Sequence, residues 1–384
     1  MDRMEEHRTP LHDILAARGA VFGERFPGFP LPRHFGDPMA EHRRARATAS
    51  VFDISPRGKI EVRGPDRVKF MQGMISNDLK ALAPGQGFHA CALTPKSKII
   101  AHFRLHVLDD RLLLDTTRPA GAALLEHLRR FRIMAKCEFD DATDRLAEVA
   151  IEGPRSPDVV AAALGGPPPD LPRHGIARVP LAAGVGGGEG LLVRYAVSGE
   201  DGYRLYVEPA RAAAVATALL DAAAALGGGP AGLEAMETLR VENGQPQFGR
   251  DFDENTMPQE AGLDDALSLN KGCFMGYEPV ARIHFRGHVN RKIAGLALEL
   301  PETPDAPLPP PGTPLLDDQE KDAGHITSTV RAPSLDLKPI ALAMVRREKL
   351  EPGTRLKLGK EPAPGALGAG VVTALPFFRP AAAI

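Results

Sequence analysis

The sequence predicts an α+β protein in which two similar α+β blocks are followed by an all-β C-terminal unit. Three observations carry this. Runs that alternate apolar and polar residues, the mark of half-buried strands, interleave with stretches of helical period between residues 51 and 226. The order strand, helix, strands, helix recurs in the second half of that region. Beyond Arg291-Lys292 the chain becomes a series of short strand-like pieces divided by Pro/Gly turns, the pattern of a small barrel or sandwich.

Residues 10–20 read as a short helix, 22–38 as irregular, and 40–49 (AEHRRARATA) as a helix with a solvated basic face. Ile60 to Arg63 alternates and is a strand. Gly64-Pro65 turns the chain, and Asp66 is placed to cap a helix over 67–74. Strands follow at 88–93, 99–108 and 111–115, a turn at Thr94-Pro95-Lys96-Ser97, an amphipathic helix at 120–132 and a strand from Cys137. This is an α+β layer with a mostly antiparallel sheet. The second block has strands at 146–151, 191–196 and 203–207, helices at 156–164 and 210–226, and a Gly/Pro-dense loop or hairpin over 165–190. A helix at 233–243 and a polar extended segment, 245–263, lead to the barrel. The expected units are 1–145 (completed by 231–290), 146–230, a connecting segment 231–290, and 291–384.

Composition narrows the function. Hydrophobic residues are 43% and charged residues 25% of the chain, as in globular proteins. A net charge of −2 gives no global field for nucleic acid or an anionic membrane. No apolar run is long enough to span a bilayer, and the charged start MDRMEEHRTPLHDI lacks the apolar core of a signal peptide. Three cysteines, Cys91, Cys137 and Cys273, form no metal-ligand spacing and no even disulfide set, so a reducing, cytoplasmic setting is expected.

One stretch stands out: Lys271-Gly272-Cys273-Phe274-Met275-Gly276-Tyr277-Glu278, followed by Arg282. Glycines bracket a thiol, and a lysine two positions away could lower its pKa below the free value of about 8.5. Redox chemistry, thiolate ligation, transient partner contact, a dyad with His284 or His288, and burial in a tight turn are all open to Cys273. Glu278 and Arg282 have the spacing of a helical surface ion pair. Cys91 and Cys137 sit on predicted strands and read as core.

Phe52-Asp53-Ile54-Ser55, Ser76-Asn77-Asp78, Gly199-Glu200-Asp201-Gly202-Tyr203, Leu239-Arg240-Val241-Glu242-Asn243-Gly244, Pro258-Gln259-Glu260-Ala261-Gly262-Leu263 and Gly324-His325-Ile326-Thr327-Ser328 occur in order. With them the chain resembles the glycine-cleavage T-protein (GcvT) superfamily of folate-binding proteins over nearly its whole length. The Lys271 stretch looks like the signature of its YgfZ-type branch, with Tyr277 where that branch usually has Gln. The resemblance implies a three-domain ring of two α+β (ferredoxin-like) units and a C-terminal β-barrel, enclosing a channel for tetrahydrofolate or a related pterin. It implies cofactor contacts at Asn77, Glu200, Asp201, Tyr203 and Arg240, and a functional loop at Lys271, Gly272, Cys273, Gly276, Glu278 and Arg282. An exposed turn is the competing reading of Glu200 and Asp201.

The acidic pair of the aminomethyltransferases falls on Ala101 and His102. The family's aromatic residue before the Gly-Glu-Asp-Gly turn falls on Val197, its acidic residue after that turn on Arg204, and an arginine on Met236. Alanine cannot steer a cationic amine and a protonated His would repel it. The expectation is therefore a folate-fold accessory protein for iron–sulfur cluster assembly or repair, acting through Cys273 with assembly or client proteins as partners, and not an active aminomethyltransferase. The alternative is a tetrahydrofolate-dependent aminomethyl- or methyltransferase; a third reading is a binding module without chemistry.

Overall fold

The computed structural model describes residues 7–26, 28–301, 307–359 and 368–380; the expectation drawn from the charged N-terminus falls partly on residues 1–6, outside the described residues. The architecture is mixed α and β, with two sheets and a closed barrel. The first sheet orders its strands Gly87–Leu93, Ile99–Val107, Leu112–Thr116, Gly58–Arg63, Glu138–Asp141, and every neighbouring pair is antiparallel. The second orders Ile176–Pro180, Glu189–Arg194, Gly202–Val207, Ala147–Glu152, Ser50–Asp53, Gly229–Pro230, with the last strand alone parallel to its neighbour. Strands Arg291–Glu299, Pro314–Leu316, Asp322–Ala332, Lys338–Arg346, Arg355–Leu358 and Ala369–Thr373 close the barrel.

The sheets face each other, and helices cover their outer sides. Strand parity shows this residue by residue, since successive side chains point to opposite faces. On Leu112–Thr116, Leu112 and Leu114 pack in the core under helix Arg118–Phe131, while Leu113 meets Tyr206 and Val193 of the second sheet. On Gly202–Val207, Leu205 and Val207 pack under helices Ser156–Leu164 and Pro209–Ala225, while Tyr206 faces inward. A strand covered on both faces loses its alternation, which is why Leu112 to Leu114 is uniformly apolar.

The inter-sheet layer holds a charged knot. Asp115 is buried and accepts from Arg57 Nε at 2.7 Å, Arg104 Nε at 3.0 Å and the Tyr206 hydroxyl at 3.0 Å. Burial opposes its charge, but Arg104 and Arg57 outweigh it and hold the carboxyl well below its usual range. Glu148, opposite, lies 3.9 Å from Lys59, Arg57 and Arg104. Neither of its oxygens has a hydrogen-bond partner. Burial, then the Asp115 charge, raises it to about 7.

Three local expectations differ from the structure. Residues 22–38 contain the hairpin Val21–Phe26/Phe29–His34; proline is tolerated in edge strands, and a two-stranded ribbon has only edges. The Gly/Pro-dense stretch takes its hairpin alternative, with strand Ile176–Pro180 antiparallel to Glu189–Arg194. Asp66 makes no side-chain cap and accepts instead from the Lys136 amide at 2.8 Å. The basic helix, Pro38–Ala47, is not solvated along its whole face: His42 and Arg46 both bond the buried Glu242 at 2.8 Å. No helix of the described residues is long and apolar enough to cross a membrane.

Because Glu148 titrates above the usual 4.5, the folded chain keeps a proton that the unfolded chain releases between pH 4.5 and about 7. Stability from this group is full below pH 4.5 and declines across that window, by up to about 1.4 kcal/mol per pH unit. Chemical denaturation at a series of pH values is expected to show this slope in the wild type and its loss in Glu148→Gln.

Candidate functional site

Where the two sheets meet the helix Leu233–Glu242, the chain encloses a cavity of about 1050 Å³, mouth included. Its inner wall is a stack. The Tyr195 ring carries the Arg104 guanidinium at 4.2 Å and the His174 ring at 5.1 Å, with Arg204 at 5.4 Å. Tyr195 comes from the segment after strand Glu189–Arg194, and Arg204 from the inward face of Gly202–Val207, opposite Tyr203.

Several wall groups are left with unmet hydrogen-bonding capacity. Arg204 is 1% exposed. Its Nη2 donates to Glu152 Oε1 at 2.5 Å, while Nε and Nη1 find no partner. Glu152 cannot serve another donor easily, because it also accepts from the Val197 and Ser198 amides. Gln245 gives its Nε2 to the Tyr195 hydroxyl and leaves Oε1 unpaired. His174 Nδ1 is likewise buried without a partner. Burial, then His89 and Arg173, lower the His174 pKa, so the ring is neutral. Unpaired buried polar atoms are rare in folded proteins and invite a ligand or water.

Strand Ile99–Val107 sets the floor. Ala101, Phe103 and Leu105 belong to the helix-covered core, so His102, Arg104 and His106 take the opposite face. His102 is half-buried in the cavity wall. Burial, then His89 and Arg104, push its pKa well below 6.5. The imidazole is therefore neutral at pH 7, and the repulsion expected between a protonated His and a cationic amine does not arise.

Of the residues expected at the site, Arg240 lines this cavity. It is locked by Asp251 at 2.7 Å and Glu237 at 2.5 Å and donates to Ser328 Oγ at 2.9 Å. Asp251 in turn accepts from Thr327 and Ser328 at 2.7 Å, so the Leu239-Arg240 and Thr327-Ser328 motifs are two halves of one joint between helix and barrel. Glu200 bonds Arg46 at 3.1 Å, Asp201 pairs with Arg194 at 3.0 Å, and Tyr203 packs in the outer core of the second sheet. Asn77 Nδ2 donates to the carbonyls of His89 and Asp265.

The Lys271 stretch lies apart from the cavity and acts as a clip. Lys271 Nζ donates to the carbonyls of Gln72, Ile75 and Asn77 at 2.6–2.8 Å, where helix Arg67–Met74 ends. Burial lowers its pKa to about 8. Phe274 is buried against Leu93 and Ile99, and Tyr277 packs edge-on against Phe274. Gly276 has φ +81°, and a Cβ there would stand 2.6 Å from the Thr94 carbonyl oxygen. Gly272 has φ +90° with open space around it, and Cys273 is free and exposed. Glu278 and Arg282 lie in helix Tyr277–Arg286, both exposed. Cys91 and Cys137 are buried, as expected for core thiols.

Residues 11–271 match the model of the GCVT N-terminal domain, and residues 291–378 that of the glycine cleavage T-protein C-terminal barrel domain. The chain belongs to the glycine cleavage T-protein family. An aminomethyltransferase from Saccharopolyspora erythraea is 31% identical over 382 residues, covering 97% of this chain and 98% of that one. One from Rubrobacter xylanophilus is 31% identical over 373 residues, covering 97% and 94%. The crystal structure of the glycine cleavage system aminomethyltransferase T from Bartonella henselae superposes with a TM-score of 0.86 at 25% identity, covering 99% of this chain and 100% of that chain.

These findings confirm the superfamily and the fold, and they correct two expectations. These relatives bear the name aminomethyltransferase rather than that of the YgfZ-type branch, which overturns the iron–sulfur accessory role. The expectation of a chain without aminomethyltransferase activity is overturned by the same relatives, which span it almost end to end. The case against an enzyme rested on the joint departure of Ala101, His102, Val197, Arg204 and Met236, and the surroundings of two of them change their meaning: His102 is neutral, and Arg204 pairs with Glu152.

His89, His174, Tyr195, Gln245 and Asp265 belong to the site without any motif that marks them in the sequence. One signal was available: polar His102, Arg104 and His106 at period 2 on a strand whose other face is apolar.

Lys271→Ala would strand three carbonyls and is expected to cost roughly 1–3 kcal/mol. Cys273→Ser, at an exposed position, is expected to stay within about 0.5 kcal/mol of wild type. Denaturant midpoints of the two variants check this; a Cys273 effect larger than that of Lys271 would reverse the assignment.

Proposed function

We propose that the chain is a tetrahydrofolate-dependent aminomethyltransferase whose central cavity holds the pterin. The observation that carries this reading is the set of unpaired groups on the cavity wall. Arg204 Nε and Nη1 offer donors, and Gln245 Oε1 offers an acceptor. A pterin presents both a carbonyl oxygen and amino hydrogens, so it can satisfy both sides. The aromatic stack around Tyr195 supplies an apolar face for a flat ring. The relatives' name supports the same reaction class.

Bound tetrahydrofolate would supply the nitrogen that takes up the one-carbon unit. The protein's own residues orient and exclude water. Arg204 and Gln245 would set the ring's register, and Arg240 would fix the cavity side of the connecting helix through Asp251. His102, neutral and with a free lone pair, can accept a hydrogen bond from the cationic amine of the donor, the steering role assigned by resemblance to a carboxylate. Three free thiols support a reducing, cytoplasmic setting for this activity.

The test is the tetrahydrofolate-dependent half-reaction of glycine cleavage, followed as ammonia released from an aminomethyl donor. Turnover that depends on tetrahydrofolate is expected; its absence sinks the reading. Tetrahydrofolate at a hundredfold excess over its Kd should add about 2–3 kcal/mol of stability, read as a rise in melting temperature. Gln245→Ala is expected to weaken folate binding by roughly 1–3 kcal/mol, the range for removing one partner of a buried hydrogen bond. Calorimetric titration measures that loss.

A further inference from the structure

We propose that His102, His89 and Asp265 form a proton relay from the cavity to solvent, with His102 Nδ1 as the group that takes the proton from the reacting amine. The proposal rests on the transferase reading above and adds the route by which a proton leaves an enclosed site. Its geometry is continuous. His102 Nε2 lies 2.9 Å from His89 Nδ1, and His89 Nε2 lies 2.9 Å from Asp265 Oδ2. The two imidazoles line the cavity, and the Asp265 side chain is 68% exposed at the other end.

The strands explain why these residues meet. Gly87–Leu93 and Ile99–Val107 pair with Cys91 opposite His102 and His89 opposite Arg104. His89 and His102 are thus diagonal neighbours on one face, within reach of ring side chains. Asp265 sits on the short turn Asp264–Ala266. That turn is tied to the same strand pair by Ser76, whose hydroxyl donates to the Ala266 carbonyl, and by Asn77, which donates to the His89 and Asp265 carbonyls. Asn77 is therefore a positioning residue for the relay.

The chain of hydrogen bonds fixes both tautomers. Asp265 is ionised, held below its usual range by His89, so it only accepts. His89 must then carry its proton on Nε2 and accept on Nδ1. His102 must donate from Nε2, which leaves its Nδ1 lone pair for a ligand. Around the pair stand His174, stacked on His89 at 5.7 Å, Phe252 at 6.1 Å from His102, and Arg57 and Arg104, both engaged by Asp115. Arg173 faces the outer end, where it adds to the pull on Asp265. These cations disfavour a second positive charge at His102, so a proton taken there does not rest.

The transfer balances without any other reagent. His102 Nδ1 takes one proton from the ligand nitrogen, whose electron pair stays on that nitrogen. His102 Nε2 passes its proton to His89 Nδ1, His89 Nε2 passes its own to Asp265, and Asp265 releases it to water. Turnover of both rings, which puts each proton back on Nε2 in its hydrogen-bonded place, resets the relay; return of the protons along the same bonds would only undo the transfer. Ala101, on the helix-covered face, has no part in it.

Two measurements test the relay. Nitrogen NMR of the imidazole rings at pH 7, in the folded protein without folate, is expected to show His102 protonated on Nε2 and bare on Nδ1, with His89 protonated on Nε2. A proton on His102 Nδ1 overturns the proposal whatever the activity. In the half-reaction, His102→Gln is expected to lower kcat by roughly a hundredfold and Asp265→Ala by roughly tenfold, each with little change in the KM for tetrahydrofolate. Added imidazole buffer should restore turnover in Asp265→Ala, because that end of the relay meets solvent. Wild-type kcat in both variants overturns the relay while leaving the transferase reading intact. Absence of wild-type turnover overturns the transferase reading, and the ring tautomers alone then decide the relay.

Discussion

The rest of the structure depends on Asp115. Two packed sheets normally join through apolar side chains, but here one carboxylate gathers Arg104 and Tyr206 from facing strands of the two sheets and Arg57 from the turn that leads into Gly58–Arg63. A buried ion pair of this kind adds little net stability, since desolvation offsets most of the attraction, yet removing one partner is strongly destabilising. Its value here lies in position. By holding Arg104, Asp115 sets the guanidinium against Tyr195 and thereby shapes the inner wall of the cavity. The buried Glu148 opposite, which finds no hydrogen-bond partner, is raised by its burial and then by the Asp115 charge.

A second joint connects the cavity to the barrel. Arg240 and Asp251 meet Thr327 and Ser328, and Glu242 gathers His42, Arg46 and Ser334. Helix Leu233–Glu242 is therefore held by charge on two sides, and its cavity-facing residues inherit that rigidity. The Lys271 clip performs the corresponding task on the first unit, fastening the connecting segment where a helix ends. A cationic Nζ suits that place, since the last carbonyls of a helix have no internal partners and carry partial negative charge.

These anchors give the histidines at positions 89 and 102 their chemistry. Neither ring is unusual by itself. Burial keeps His102 neutral, His89 fixes its tautomer, and Asp265 fixes the tautomer of His89. A position where the family resemblance expects a carboxylate can then present a lone pair instead, backed by a carboxylate two hydrogen bonds away. Such a shift of the acid from first contact to the end of a chain keeps negative charge available without placing it in a crowded, cation-rich cavity.

Much of this protein was determined by local sequence. Period-2 and helical patterns specified both α+β blocks, and Pro/Gly turns specified the barrel, because strand and helix geometry act over a few residues. Family motifs were legible as well, and in this chain Ser76-Asn77, Leu239-Arg240 and Thr327-Ser328 make the contacts that join its parts. The role of Cys273 was not legible: a glycine-bracketed thiol beside a lysine reads as reactive, but the lysine is spent on three carbonyls, and Cys273 is exposed and outside the cavity lining. The meaning of His102 and Arg204 was decided only by tertiary structure. Burial, with His89 and Arg104, keeps His102 neutral, and the Arg204 guanidinium pairs with Glu152, 52 positions away along the chain. Protonation and pairing are set by neighbours in space, and a linear sequence records no such neighbours.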